Sequence, residues 1–228
     1  MDSLRIATQP IVDLVDGRIA GYGVLSLCKP SGVDAVLTDP TLPADGFLAL
    51  KVDALMLGTR ELGAVLPNDL YGLVFELSEP VSDDPTLPAT IRNYRRRGAQ
   101  FTLVDRAIAD TAVVQPERIK LGRGLVSLIG RSPGLVGALA HAALRTGAEV
   151  CAEGVDSLQK LRWLHRAGVT VAQGSLLQTP DLDDLLDQVR TPSLLDVLDT
   201  PRPRSRRFAP QRSRPKDPLS FRTVFTGL

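Results

Sequence analysis

Glu149-Val150-Cys151-Ala152-Glu153-Gly154-Val155-Asp156 carries the clearest architectural signal in the chain. A short apolar run ends in a carboxylate, turns on a glycine and enters Ser157-Leu158-Gln159-Lys160-Leu161. Leu158, Leu161 and Leu164 recur at helical spacing, and Gly168 stops that helix. Val169-Thr170-Val171-Ala172-Gln173-Gly174 is a second apolar run closed by a polar residue and a glycine. Strand, polar tip, helix, strand, polar tip is the repeat of a parallel α/β barrel, whose chemistry gathers at the carboxyl ends of the strands.

Working outward, the same unit recurs at roughly 20-residue periods. Leu73-Val74-Phe75-Glu76, Phe101-Thr102-Leu103-Val104-Asp105 and Arg118-Ile119-Lys120-Leu121 are apolar runs with a charged residue at or near the tip. Glu76, Asp105, Lys120, Glu153 and Gln173 are therefore the candidate site residues. At the other end, Asp16-Gly17 between Ile11-Val12 and Ile19-Ala20 predicts a hairpin of two strands. The Pro-, Gly- and Asp-rich segment 29–45 reads as loop. Leu48, Val52, Leu55 and Leu62 fall at helical spacing and predict one core-facing helix over 47–62. Helices are also expected at 89–97, 134–145 and 182–189.

Taken in order, these motifs resemble the EAL family of cyclic-di-GMP phosphodiesterases. Ala152-Glu153-Gly154-Val155-Asp156 is similar to the family's AEGVE and Gln173-Gly174 to its QGY. Gln9-Pro10-Ile11-Val12-Asp13-Leu14 matches its opening, Phe75-Glu76-Leu77-Ser78-Glu79 its ExTE strand, and Arg118-Ile119-Lys120-Leu121 its LKID. The resemblance implies a TIM-like (β/α) barrel over 1–190, followed by a Pro/Arg-rich tail over 191–228. It also locates departures. Gly23 stands where the family has its eponymous glutamate, and Val104 where it has the first of two metal-binding aspartates. The strand ending VNLS, whose asparagine joins the metal site, has no counterpart in this reading, so the barrel looks shortened by about one βα unit. Active members hold two divalent cations, Mg²⁺ or Mn²⁺, and hard cations need about six oxygen ligands.

The resemblance, with those losses, implies a catalytically inactive regulatory protein that works through contacts with a protein partner, with no metal or cofactor bound. A receptor that binds cyclic-di-GMP without cleaving it is the alternative, and a metal-dependent phosphodiesterase a third reading. A homodimer is compatible with each.

Composition bounds the rest. With 228 residues, 43% of them hydrophobic, the chain suits one domain with a tail. No apolar run approaches the ~20 residues of a membrane span, and no signal peptide is legible at the start, so a cytoplasmic location is expected. Cys28 and Cys151 read as reduced thiols without metal-site spacing. Eight of the 27 basic residues lie in 201–228, opposed there only by Asp217. Such a segment is expected to be disordered and is suited to an anionic partner.

Overall fold

Leu73-Val74-Phe75-Glu76-Leu77 is buried at every position, which is what a strand covered on both faces requires. A computed structural model of the chain shows how. It describes residues 7–27, 29–39, 46–78, 85–105 and 108–190; the 191–228 segment expected to be a disordered tail lies outside the described residues.

Among the described residues eight strands close into a barrel in sequence order. They are β1 (Thr8–Asp13), β2 (Ile19–Leu27), β3 (Phe47–Val52), β4 (Leu73–Leu77), β5 (Gln100–Val104), β6 (Arg118–Leu121), β7 (Glu149–Glu153) and β8 (Val171–Gln173). β1 runs antiparallel to both of its neighbours, β2 and β8, and the remaining pairs are parallel. The expected hairpin is present, with Gly17 at φ +81° in its turn. Between the strands lie α1 (Pro30–Thr38), α2 (Ala54–Leu57), α3 (Arg60–Val65), α4 (Leu87–Arg96), α5 (Ile108–Val114), α6 (Arg123–Ser127), α7 (Pro133–Arg145) and α8 (Leu158–Arg166). A 3₁₀ turn (Ser175–Leu177) and α9 (Leu182–Arg190) follow β8.

Two expectations are corrected here. Segment 29–45 is not all loop, because α1 is helical from Pro30 and buries Val33, Val36 and Leu37. Segment 47–62 is not one helix. Phe47-Leu48-Ala49-Leu50-Lys51-Val52 is β3, hydrogen-bonded in parallel register to β2 and β4. Asp53 then caps a new helix, its carboxylate accepting from the Met56 amide at 2.5 Å, and Thr59 caps the next by accepting from Leu62. Leu48, Val52, Leu55 and Leu62 matched helical spacing by coincidence, because a strand and two short helices share the stretch.

The barrel is therefore not short of a strand. The unit that seemed to be missing is β3, and the economy lies in the helices, with four residues in α2 and six in α3.

Two apolar clusters hold the helices to the barrel wall. One joins β3, β4 and β5 to α1–α4 around Phe75, Phe101 and Tyr94, with ring centroids 5.6 and 5.7 Å from Phe75. The other joins β6, β7 and β8 to α6–α9 through Leu121, Val150, Leu161, Leu164 and Leu186. The barrel interior is layered. At the amino ends of the parallel strands, Arg118 donates to Glu149 at 2.7 Å and Gln100 at 2.9 Å and lies 4.5 Å over the Phe47 ring. Above it Ile11, Ala49, Val74, Cys151 and Val171 form an apolar layer. The next layer, at the carboxyl ends, is polar.

Candidate functional site at the barrel mouth

Strand alternation sets which residues face inward. On β3, Leu48, Leu50 and Val52 enter the outer core while Lys51 points to the barrel mouth, and on β4 Glu76 does the same between Phe75 and Leu77. Gln9, Glu76, Thr102, Lys120, Glu153 and Gln173 are the buried polar residues among those described, all in strands.

Two ion pairs span this mouth. Lys120 on β6 is bonded to Glu76 on β4, with both side chains almost wholly buried, at 2% and 3% exposure. The Lys120 ammonium also donates to Gln173 Oε1 at 3.3 Å. Lys51 on β3 donates to Glu153 on β7 across the barrel, at 3.3 Å to Oε1 and 3.4 Å to Oε2. Burial by itself pulls the Lys120 pKa down. The Glu76 carboxylate beside it, together with smaller contributions from Cys151 and Glu153, offsets that and holds the ammonium above its ordinary value. Burial pushes the neighbouring Cys151 thiol up to about 12, against the pull of Lys120.

Of the five residues expected at the site, four converge. Glu76, Lys120 and Gln173 form one bonded network, and Glu153 lies at the same mouth in a separate pair with Lys51. Asp105 does not converge. Its backbone is left-handed at φ +52°, and its carboxylate accepts from the Gly122 amide at 2.6 Å, which ties β5 to the start of α6. Gly23 and Val104 bring no donor, as expected from their side chains. A Cβ on Gly23 would stand 2.8 Å from Gln173 Nε2, so the glutamine amide occupies space beside β2.

Lys51 is not among the residues expected from the sequence, because the apolar spacing around it fits a helix. The unbroken run Phe47-Leu48-Ala49-Leu50 ending in Lys51 and a capping Asp53 was the signal, identical in form to the other strand tips. The inward residue at the tip of β3 is a lysine.

The two glycine signatures have a packing role of their own. The Gln173 carbonyl accepts from the amides of Gly154 and Val155 at 2.9 and 3.1 Å, and Gly174 lies against the Val155 backbone, where a Cβ would collide. Glu153-Gly154-Val155 and Gln173-Gly174 thus interlock as backbone, whatever the site does.

A family model, that of the EAL domain, matches residues 64–180, a little over half of the chain. The chain belongs to the EAL-domain family. Its barrel is similar to the EAL domain of Mycobacterium smegmatis DcpA, with a TM-score of 0.62 and 22% identity over 81% of this chain and 98% of that one. Klebsiella pneumoniae BlrP1, in its manganese/cyclic-di-GMP complex, matches at 0.62 and 19% identity over 75% of this chain and 54% of that one. The EAL enzyme Bd1971 in its cAMP-bound form matches at 0.60 and 17% over 82% of this chain, which spans only 65% of Bd1971. At these identities the likeness shows the fold. No curated protein matches the chain.

The donors at this mouth do not fit a divalent cation such as the manganese of BlrP1. Among the described residues no three His, Cys, Asp or Glu side chains come together as a metal site. Glu76 and Glu153 each face a lysine, and Asp105 is engaged by a backbone amide. Among the described residues no helix is long and apolar enough to cross a membrane. A hollow of about 910 Å³ lies away from the mouth, on the outer wall between α5 and α7, lined by Ala112, Gln115, Ala138, His141 and Arg145 among others.

Proposed function

We propose that this EAL domain is catalytically inactive and serves as a regulatory protein in cyclic-di-GMP-related signalling, acting through protein contacts. One observation carries the reading: both mouth glutamates are paired with lysines across the barrel. Phosphodiester hydrolysis by two cations needs carboxylates free to ligate them and to activate water. Here the same carboxylates are charge-neutralised within the protein.

The charge balance of the mouth also bears on nucleotide binding. Lys51 and Lys120 are matched by Glu76 and Glu153, so the cluster is electrically neutral and offers no net positive charge to a ligand with two phosphodiesters. The outer wall supports the contact reading. Leu135 and Leu139 on α7 are 52% and 37% exposed, and Ala138 between them lines the hollow beside α5.

The test is incubation of the purified chain with cyclic-di-GMP and Mg²⁺ or Mn²⁺, followed by chromatography for the linear dinucleotide. No product is expected. Metal-dependent product that disappears in Glu153→Gln would overturn the reading. Calorimetric titration of cyclic-di-GMP without metal separates the receptor alternative: saturable heat that is lost in Lys120→Met would establish a receptor in place of a scaffold.

A further inference from the structure

We propose that Lys51 is a built-in cation that occupies the place of a divalent ion at the barrel mouth, and that it is the residue that keeps such an ion out. The Lys51 ammonium sits almost equidistant from the two Glu153 oxygens, at 3.3 and 3.4 Å, in the manner of an ion held by a bidentate carboxylate. A divalent cation on those oxygens would stand about 2.0–2.6 Å away, in the space the ammonium fills.

Access does not exclude the ion. The Lys51 and Glu153 side chains are 26% and 12% exposed, so the pair meets solvent at the open end of the barrel. The deeper pair is closed off, with Lys120 and Glu76 at 2% and 3%. Glu153 is thus the carboxylate a solvent cation could reach, and Lys51 is what faces it. The lysine is held in position by its strand. Leu50 and Val52 on either side are fully buried in the outer core, and Asp53 caps α2 immediately after. The arrangement makes the mouth independent of metal, since charge balance is supplied by the chain itself.

Uptake of Mn²⁺ by the full chain tests this, read from the electron paramagnetic resonance of the free ion and from thermal unfolding. Wild type and Lys51→Arg are expected to leave the free-ion signal undiminished and the unfolding temperature unmoved. Lys51→Asn and Lys51→Asp, which unblock Glu153 and place a second oxygen donor beside it, are expected to deplete the signal saturably and to unfold at a higher temperature with Mn²⁺ than without. Adding Glu153→Gln to either should abolish that gain. Saturable Mn²⁺ binding by wild type overturns the proposal, as does failure of both Lys51→Asn and Lys51→Asp to acquire it. The result is separable from the hydrolysis test: a wild type that binds Mn²⁺ but cleaves nothing would sink this inference and leave the inactive reading standing.

Discussion

Gly23 and Gln173 fit each other as a void and its filling. The Gln173 amide approaches β2 so closely that a Cβ on Gly23 would lie 2.8 Å from its nitrogen, while its oxygen accepts from Lys120. The absence of a side chain at 23 and the orientation of the glutamine are one feature. Gly23→Glu, which rewrites the family's glutamate, is therefore expected to displace Gln173 and weaken its bond to Lys120. The cost should be about 1–3 kcal/mol, as for overpacking elsewhere. Chemical denaturation would measure it, and a chromatographic assay should find no hydrolysis regained. A variant as stable as wild type would show that Gln173 moves freely and that the two positions are not coupled.

The two lysine–glutamate pairs should differ in energetic weight because they differ in burial. Lys120→Met leaves Glu76 charged in a closed interior and should cost about 3–5 kcal/mol. Replacing both partners with apolar residues should recover most of that loss. Lys51→Met, at the solvent end, should cost about 1 kcal/mol or less. Urea unfolding of the three variants checks the order, and equal losses from Lys120→Met and Lys51→Met would contradict it.

Alkaline pH should destabilise the fold, through protons that the folded chain keeps. Below pH 9 the Cys151 thiol and the Lys120 ammonium are protonated both folded and unfolded, and neither contributes a slope. Above the thiol's ordinary 9.0 the unfolded chain releases that proton while the folded chain holds it to about 12. Above 10.5 the unfolded lysine discharges while folded Lys120 stays charged. Retained protons mean that stability falls as pH rises. Urea midpoints measured from pH 8 upward should decline from about pH 9, and Cys151→Ala should flatten the first part of that decline. A midpoint that rises over this range would show that the thiol is not held neutral.

Gly174→Ala should prove among the least tolerated single-methyl additions. Its Cβ would collide with the Val155 carbonyl and amide, which are backbone and cannot rotate away. A loss at or above about 3 kcal/mol, or failure to accumulate as soluble protein, is expected. Gly124→Ala in α6, with no neighbour within 4 Å, should be neutral or stabilising by up to about 1 kcal/mol. Parallel expression and thermal unfolding compare them directly, and similar behaviour of the two would remove the packing explanation for the glycine at 174.

Legible along the chain are the repeating strand-and-tip order, the opening hairpin, and Glu76, Lys120, Glu153 and Gln173 as residues of one barrel end. Each is a local property, set by alternation along a strand and by turn chemistry at its end. Residue 51 was hidden because apolar spacing over 47–62 fits a helix as well as a strand followed by two capped turns of helix, and only the hydrogen bonds of β3 to β2 and β4 distinguish them. The position of Asp105 at a strand tip is legible as well, but its left-handed backbone and its bond to Gly122 are not. The pairing of Lys51 with Glu153 and of Lys120 with Glu76 belongs wholly to the tertiary structure. Residues 102 positions apart meet because strand tilt and stagger in a closed barrel bring β3 and β7 face to face across its axis, and no periodicity along the chain records that distance.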